Sequence, residues 1–248
     1  MKGGIIDRFP LTLPEELILL TLDPGSGKPL CPAASLAYGT AGAALAELEL
    51  QGRIREERGR VQVVNPLDPA DPRLAALLRT LPQGKAPRSG MRARRWVADF
   101  DKHVRDTHLD SLVERSVLSR ETRRVLGLFP YHRHFPVHPD LVPSLRRRFA
   151  HAERAGYPDP RDRLLAALVS AMGLASALTR NGRPGRTAMK VLRRSEWTAT
   201  AVHHNVKQSE SGGGGGSDGW SGDSGGGGGC GSMISFNGRA ATRRTLLV

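Results

Sequence analysis

From Leu11 onward the chain alternates dense apolar runs with short polar interruptions, and the period of each run predicts its element. The first run, LTLPEELILLTLD, carries Leu17, Leu19, Leu20 and Leu22, too apolar for a surface helix. Its start has helix-initiating spacing: Thr12 and Glu15 can form a capping box, and Pro14 sits in the first turn, where a missing N–H costs little. The second run, AGAALAELELQGRI, places Ala41, Ala44, Leu45 and Leu48 on one helical face and stops at Gly52. Beyond the Arg58-Gly59 turn, Val61-Gln62-Val63 alternates as a hairpin strand does. Helix, helix, hairpin is the local order of a winged helix.

The rest of the pattern is helical. Leu74, Leu77, Leu78 and Leu81 fall at i, i+3, i+4 and i+7, between the loops 65–71 and 82–90. Met91–Phe100 reads as a helix with Trp96 and Phe100 inward and Arg92, Arg94 and Arg95 outward. Asp101–Arg115 reads as another, with Leu109, Leu112 and Val113 buried and Lys102 and Arg105 neighbours on its polar side. Val125–Val137 is broken by Gly127, Pro130 and Pro136, which predicts a short hairpin with its tip near Tyr131–His134. Leu141, Leu145 and Phe149 mark a further helix, Leu164–Leu178 the central one and Thr187–Val206 the last. The expectation is a mainly α protein: one helical domain over residues 1–207 with a winged-helix-like N-terminal part and short β-hairpins. From Gln208 the composition turns to glycine and serine, too poor in apolar surface to offset the entropy of ordering, and 208–248 reads as a disordered tail.

Charge sharpens this picture. The net charge is +13, and the tail adds nothing, because Glu210, Asp218 and Asp223 balance Arg239, Arg243 and Arg244. The excess therefore sits on the folded part and calls for an anionic partner: nucleic acid, acidic protein or anionic lipid. The cysteines, Cys31 and Cys230, have no metal-ligand spacing and suggest no disulfide, as expected of a cytoplasmic protein. MKGGIIDRFPLTL has no secretory apolar core, and Leu164–Leu178 is too short to span a bilayer.

Candidate chemistry narrows the classes further. Gly25-Ser26-Gly27-Lys28 fails as a phosphate loop, for want of an upstream glycine and because Pro29 replaces the magnesium-binding hydroxyl, and reads as a tight turn. His132, His134 and His138 lack carboxylate or cysteine help, so no metal is expected. Tyr131, His132, Arg133 and Phe135 form either a hairpin packed on the core or one lying at headgroup depth. Arg146–Arg148 and Arg193-Arg194 read as solvated helix faces, His203-His204 as surface and half-buried positions, and Asp159 and Asp162 as caps of the core helix. No nucleophile–base or paired-carboxylate arrangement stands out, so neither catalysis nor a cofactor is expected.

Four pieces in one order resemble the Golgi phosphoprotein 3 family: LTLPEELILLTLD followed by AGAALAELELQGRI, then SLVERSVL, RVLGLFPYHRHFPV and PDPRDRLLAAL. The resemblance runs from Leu11 to Val206 and, with arginine far exceeding lysine, fits a prokaryotic-type member. It implies a peripheral membrane protein that binds the headgroup of phosphatidylinositol 4-phosphate through one tryptophan and three basic residues. It also implies self-association and membrane-protein clients, and a place on the cytoplasmic face of the Golgi in a eukaryote. By register, two of those basic positions correspond to Lys102 and Arg105. The tryptophan and the third arginine correspond to Pro32 and Ala41, so two of the four positions are retained in charge and two are lost, which weakens recognition of that one lipid but not affinity for anionic surfaces. The alternative is a winged-helix nucleic-acid binder, with Arg53, Arg55, Arg58 and Arg60 on the wing. Against it, AGAALAELEL lacks the side chains that read base edges.

Overall fold

The computed structural model describes residues 10–82, 90–125 and 129–212. Among them the chain is mainly helical. In order come α1 (Leu13–Thr21), β1 (Leu22–Asp23), β2 (Lys28–Pro29), α2 (Ala33–Leu50), β3 (Ile54–Glu57), β4 (Arg60–Val63), α3 (Pro72–Thr80), β5 (Met91–Arg92) and α4 (Ala93–Glu114). Then follow β6 (Leu118–Val125), β7 (Phe129–Pro136), α5 (Leu141–Arg154), α6 (Pro160–Ala171), α7 (Ala175–Leu178), α8 (Gly182–Ser195) and α9 (Trp197–Gly212). The strands form β1–β2, β3–β4–β5 and β6–β7, all antiparallel.

Helix α1 is buried over all nine of its residues, as its apolar density predicts; α2 and α6 are buried on nearly every side, and small residues allow it. In α2, Gly39 and Gly42 lie against Met172 and Val202, so a side chain at either glycine would collide with its neighbour. Ala37, Ala41, Ala43, Ala44 and Leu48 are fully buried around them. Residues 164–171 of α6 are likewise buried throughout.

Several element boundaries differ from the sequence reading. Met91–Phe100 and Asp101–Arg115 are one helix, α4, because no glycine or proline interrupts 93–114 and its buried stripe (Trp96, Val97, Val104, His108, Leu112) runs through the junction. Met91 and Arg92 instead extend the wing, pairing with Val61 and Arg60. The segment 164–178 is not one helix: α6 ends at Ala171, the chain turns at Gly173 with φ +79, and α7 follows. Thr187–Val206 splits at Glu196 into α8 and α9, and α9 continues through Gln208 to Gly212. The split is fixed by Trp197, whose indole N–H donates to the Glu49 carboxylate at 2.7 and 2.8 Å.

A set of buried acids ties the termini of α1 and α2 to the rest. Glu15, fully buried, accepts the Thr12 backbone N–H at 3.0 Å and the guanidinium groups of Arg73 and Arg115, each at 2.6 Å. The expected capping box of Thr12 and Glu15 is thus made. Glu16 pairs with Arg148 and, at 3.2 Å, with Arg161. Glu47 accepts the Leu13 N–H at 2.6 Å and Arg161 at 2.8 Å. Charge-assisted bonds of this kind fix geometry because either partner left alone would be costly.

Candidate lipid-facing surface

Lys102 and Arg105 lie one turn apart on α4, whose opposite stripe is anchored by Trp96, Val104 and Leu112 in the core. Lys102 is exposed and has no ion-pair partner among the described residues. Arg105 is half-buried and held at 2.8 Å by Asp106. The same face carries the Arg95–Asp99 pair at 3.5 Å, so the charges there are mixed in sign. Of the two positions that break the family pattern, Pro32 is the exposed N-cap of α2, and Ala41 is fully buried inside α2, presenting nothing to solvent.

The hairpin differs from its expected layout. Its first strand begins at Leu118, and Tyr131–His134 lie within the second strand rather than at the tip. The link 126–128, with Gly127, lies outside the described residues. The first strand was hidden because residues 119–123, SRETR, are polar and exposed, so the run shows no period-two alternation.

Cross-strand register sorts the hairpin residues onto two faces. Arg123 pairs with Tyr131, Glu121 with Arg133 and Ser119 with Phe135 on one; Thr122 pairs with His132 and Arg120 with His134 on the other. On the first face, the Arg133 guanidinium lies 4.8 Å from the Tyr131 ring centroid and Arg123 5.9 Å from that of Phe135. Phe135 also closes on the β1–β2 turn: a Cβ at Gly27, where φ is +64, would come within 2.8 Å of its ring. The His134 backbone N–H donates to the Gly27 carbonyl at 3.2 Å. Gly25–Lys28 is therefore a tight turn, fastened by the Ser26 hydroxyl on the Asp23 carboxylate at 2.5 Å, and it serves as the hairpin's seat.

The second face leans on α4. Arg120 pairs with Asp110. Burial pushes the His134 imidazole below its ordinary range, helped by the charges of Arg120 and His132 and opposed by Asp110 and Asp106. The structure thus brings the hairpin beside the Arg105–Asp106 turn of α4. His132 remains exposed, whereas Tyr131, Arg133 and Phe135 are half-buried.

Asp159 caps α6, accepting the Arg161 N–H at 2.7 Å, while Asp162 lies in the first turn with its carboxyl raised by burial. Arg146 is structural rather than solvated, donating to the Leu20 and Leu22 carbonyls at 3.4 and 2.9 Å. Burial pushes the Cys31 thiol up to about 12, which leaves it unreactive. No group of three metal-ligating side chains occurs among the described residues. The nucleic-acid alternative has no recognition helix to offer, since α2 is buried over residues 39–48. Sequence reasoning missed the convergence of Arg58, Arg92 and Arg194 on one cleft, because these arginines lie far apart along the chain.

Comparison with known families places this surface in context. The sequence model of Golgi phosphoprotein 3 (GPP34) matches residues 13–209, and the chain belongs to that family. The family is one of non-enzymatic adaptor and lipid-binding proteins. No curated protein matches the chain. Among the described residues, no helix is long and apolar enough to cross a membrane.

Proposed function

We propose that the chain is a peripheral membrane-binding protein that captures anionic or phosphoinositide headgroups, with Lys102 and Arg105 as headgroup contacts and the β6–β7 hairpin lying at the interface. The observation that carries this reading is family membership across residues 13–209, which joins a basic, helical chain to a lipid-binding class. The adjacency of the hairpin to the Arg105 turn of α4 supports it. Membrane attachment through one basic surface and one shallow insertion fits the need for two weak signals rather than one. With Pro32 and Ala41 where the family carries tryptophan and arginine, selectivity for one phosphoinositide is weak and charge dominates. Self-association and binding of membrane-protein clients follow from the family as part of the same proposal.

The test is co-sedimentation with phosphatidylcholine vesicles, plain or doped with phosphatidylinositol 4-phosphate or with phosphatidylserine. The wild type pellets with both doped sets, and Lys102→Ala/Arg105→Ala loses about tenfold or more in affinity, as expected from two charge-assisted contacts. Failure of the wild type to pellet with any vesicle would overturn the proposal.

A further inference from the structure

A cavity of about 640 Å³ opens between the Arg58-Gly59 turn of the wing, the first turn of α4 and the α8–α9 junction. Arg58, Arg92, Arg94 and Arg194 line it, with Trp197 and His204. A second cavity, of about 590 Å³, shares Arg92 and Arg94 and adds Arg60 and Arg95. Among the described residues, Arg58, Arg92 and Arg194 make no ion pair. One acid lies on the wall, Glu56, and its carboxylate already accepts the Gly59 backbone N–H.

Two local choices here work against the fold. The first is the start of α4. Arg92 is its N-cap and supplies no side-chain bond, the first turn contains no acid, and Arg94 and Arg95 follow at once. Three positive groups thus sit at the positive end of a 22-residue helix dipole, the reverse of the stabilising sign. Helices α3 and α6 show what the chain does elsewhere, with Asp71 and Asp159 capping their free N–H groups. The second is Arg58, at φ +54 in a two-residue hairpin turn where asparagine or glycine sits more comfortably. Both features aim positive charge into the same cleft, and strain kept at one place is a pointer to binding. The cleft is also braced: Asn205 Nδ2 donates to the Arg94 carbonyl at 2.9 Å, and Arg60 donates to the Gly90 carbonyl at 2.6 Å.

We infer that this cleft is a second anion site, taking a compact ligand that carries more than one phosphate group. Phosphate oxygens would satisfy the uncapped N–H groups of α4 and accept from the guanidinium forks together, which a singly charged carboxylate does less well. The volume suits a small polyphosphorylated molecule. A nucleic-acid strand fits less well: Trp197 is the aromatic side chain on the cavity wall, its indole N–H is committed to Glu49, and no run of aromatic platforms follows. This site shares no residue with Lys102 and Arg105 and stands or falls independently of them. The same phosphate chemistry is offered by a free polyphosphorylated molecule or by a lipid headgroup.

The experiment is calorimetric titration of the full chain with inositol hexakisphosphate and with pyrophosphate. In parallel, the chain is co-sedimented with phosphatidylcholine vesicles with and without phosphatidylinositol 4-phosphate. Saturable binding of the free anions is expected, weakened about tenfold or more by Arg194→Glu and again by Arg92→Asp. Arg92→Asp supplies an N-cap acid, so its melting temperature is expected to rise by about 2–4 °C while binding falls. Loss of binding with a stabler fold is a signature that mere unfolding cannot produce. If the Arg92→Asp/Arg194→Glu protein, with Lys102 and Arg105 intact, also leaves the doped vesicles, the source of the phosphate is a lipid. If only the free anions respond, the source is a free polyphosphate. No saturable binding, unchanged affinity in both variants, or tighter binding of a single-stranded oligonucleotide than of either anion would overturn the inference.

Discussion

Arg73, Arg115, Arg148 and Arg161 converge on Glu15, Glu16 and Glu47, three buried carboxylates at the meeting of α1 and α2. Arg58, Arg92 and Arg194 converge on an open cleft that holds a single acid, itself committed to a backbone N–H. The residue type is the same, and the chemistry around it is opposite. In the first region every guanidinium is answered, and the arginines act as bolts between elements distant in sequence. In the second, positive charge is added where a helix dipole and a strained turn already disfavour it, which leaves the charge available to something outside the fold.

The most forceful way to break the closed region is Glu15→Gln. Two arginines then lose their common carboxylate beneath the surface, and urea unfolding should show a loss of about 3 kcal/mol. The open region responds the other way: Arg92→Asp provides a cap and corrects the dipole, raising stability by about 1 kcal/mol in the absence of ligand. A third, smaller effect depends on pH. His108 is fully buried on α4; its Nδ1 lies 2.8 Å from the Val104 carbonyl, and its Nε2 has no partner. Burial holds this imidazole below 6.5, with Arg73 adding to the effect and Glu15 and Asp71 opposing it. A depressed folded value means that the unfolded chain binds the proton first. The stability it contributes is present above 6.5 and is lost as pH falls through the folded value. His134 and His203 shift in the same direction, so His108→Leu should flatten part of the fall in melting temperature between about pH 7 and about pH 5. The smallest effect is expected at an ordinary exposed pair. Arg79→Ala breaks the Arg79–Asp68 contact, whose side chains are 66% and 49% exposed, and should change the unfolding free energy measured in urea by less than about 0.5 kcal/mol.

Much of the closed region was legible in the sequence. The apolar density of LILL, the small residues of AGAALA and the cap at Asp159 all act locally, and local physics reads straight from residue order. The joins were less so. Nothing near residues 100–101 marks them as mid-helix except the absence of a breaker, and the strand stretch SRETR carries no alternation because all five of its side chains are polar and exposed. Lys102 and Arg105 were found by resemblance, and their neighbour spacing holds in α4. The open cleft was invisible for a different reason. Arg58, Arg92 and Arg194 each read as a solvated arginine, and only the pairing of β5 with β4 and the turn between α8 and α9 bring them to one place. Buried charge networks are hidden in the same way: LPEEL announces a helix start, not that both glutamates will meet arginines from α3, α5 and α6.

The most direct measurement is urea unfolding of the wild type and of Arg92→Asp, each with and without saturating inositol hexakisphosphate. A ligand that binds only the folded chain must raise its midpoint, by about 2.7 kcal/mol at a hundredfold excess over the dissociation constant. That rise is expected in the wild type and about half of it or less in Arg92→Asp, whose binding is about tenfold weaker and whose unliganded midpoint is already the higher of the two. An equal rise in both proteins, or a lower unliganded midpoint for Arg92→Asp, would contradict the claim that the open arginines are held for an anion.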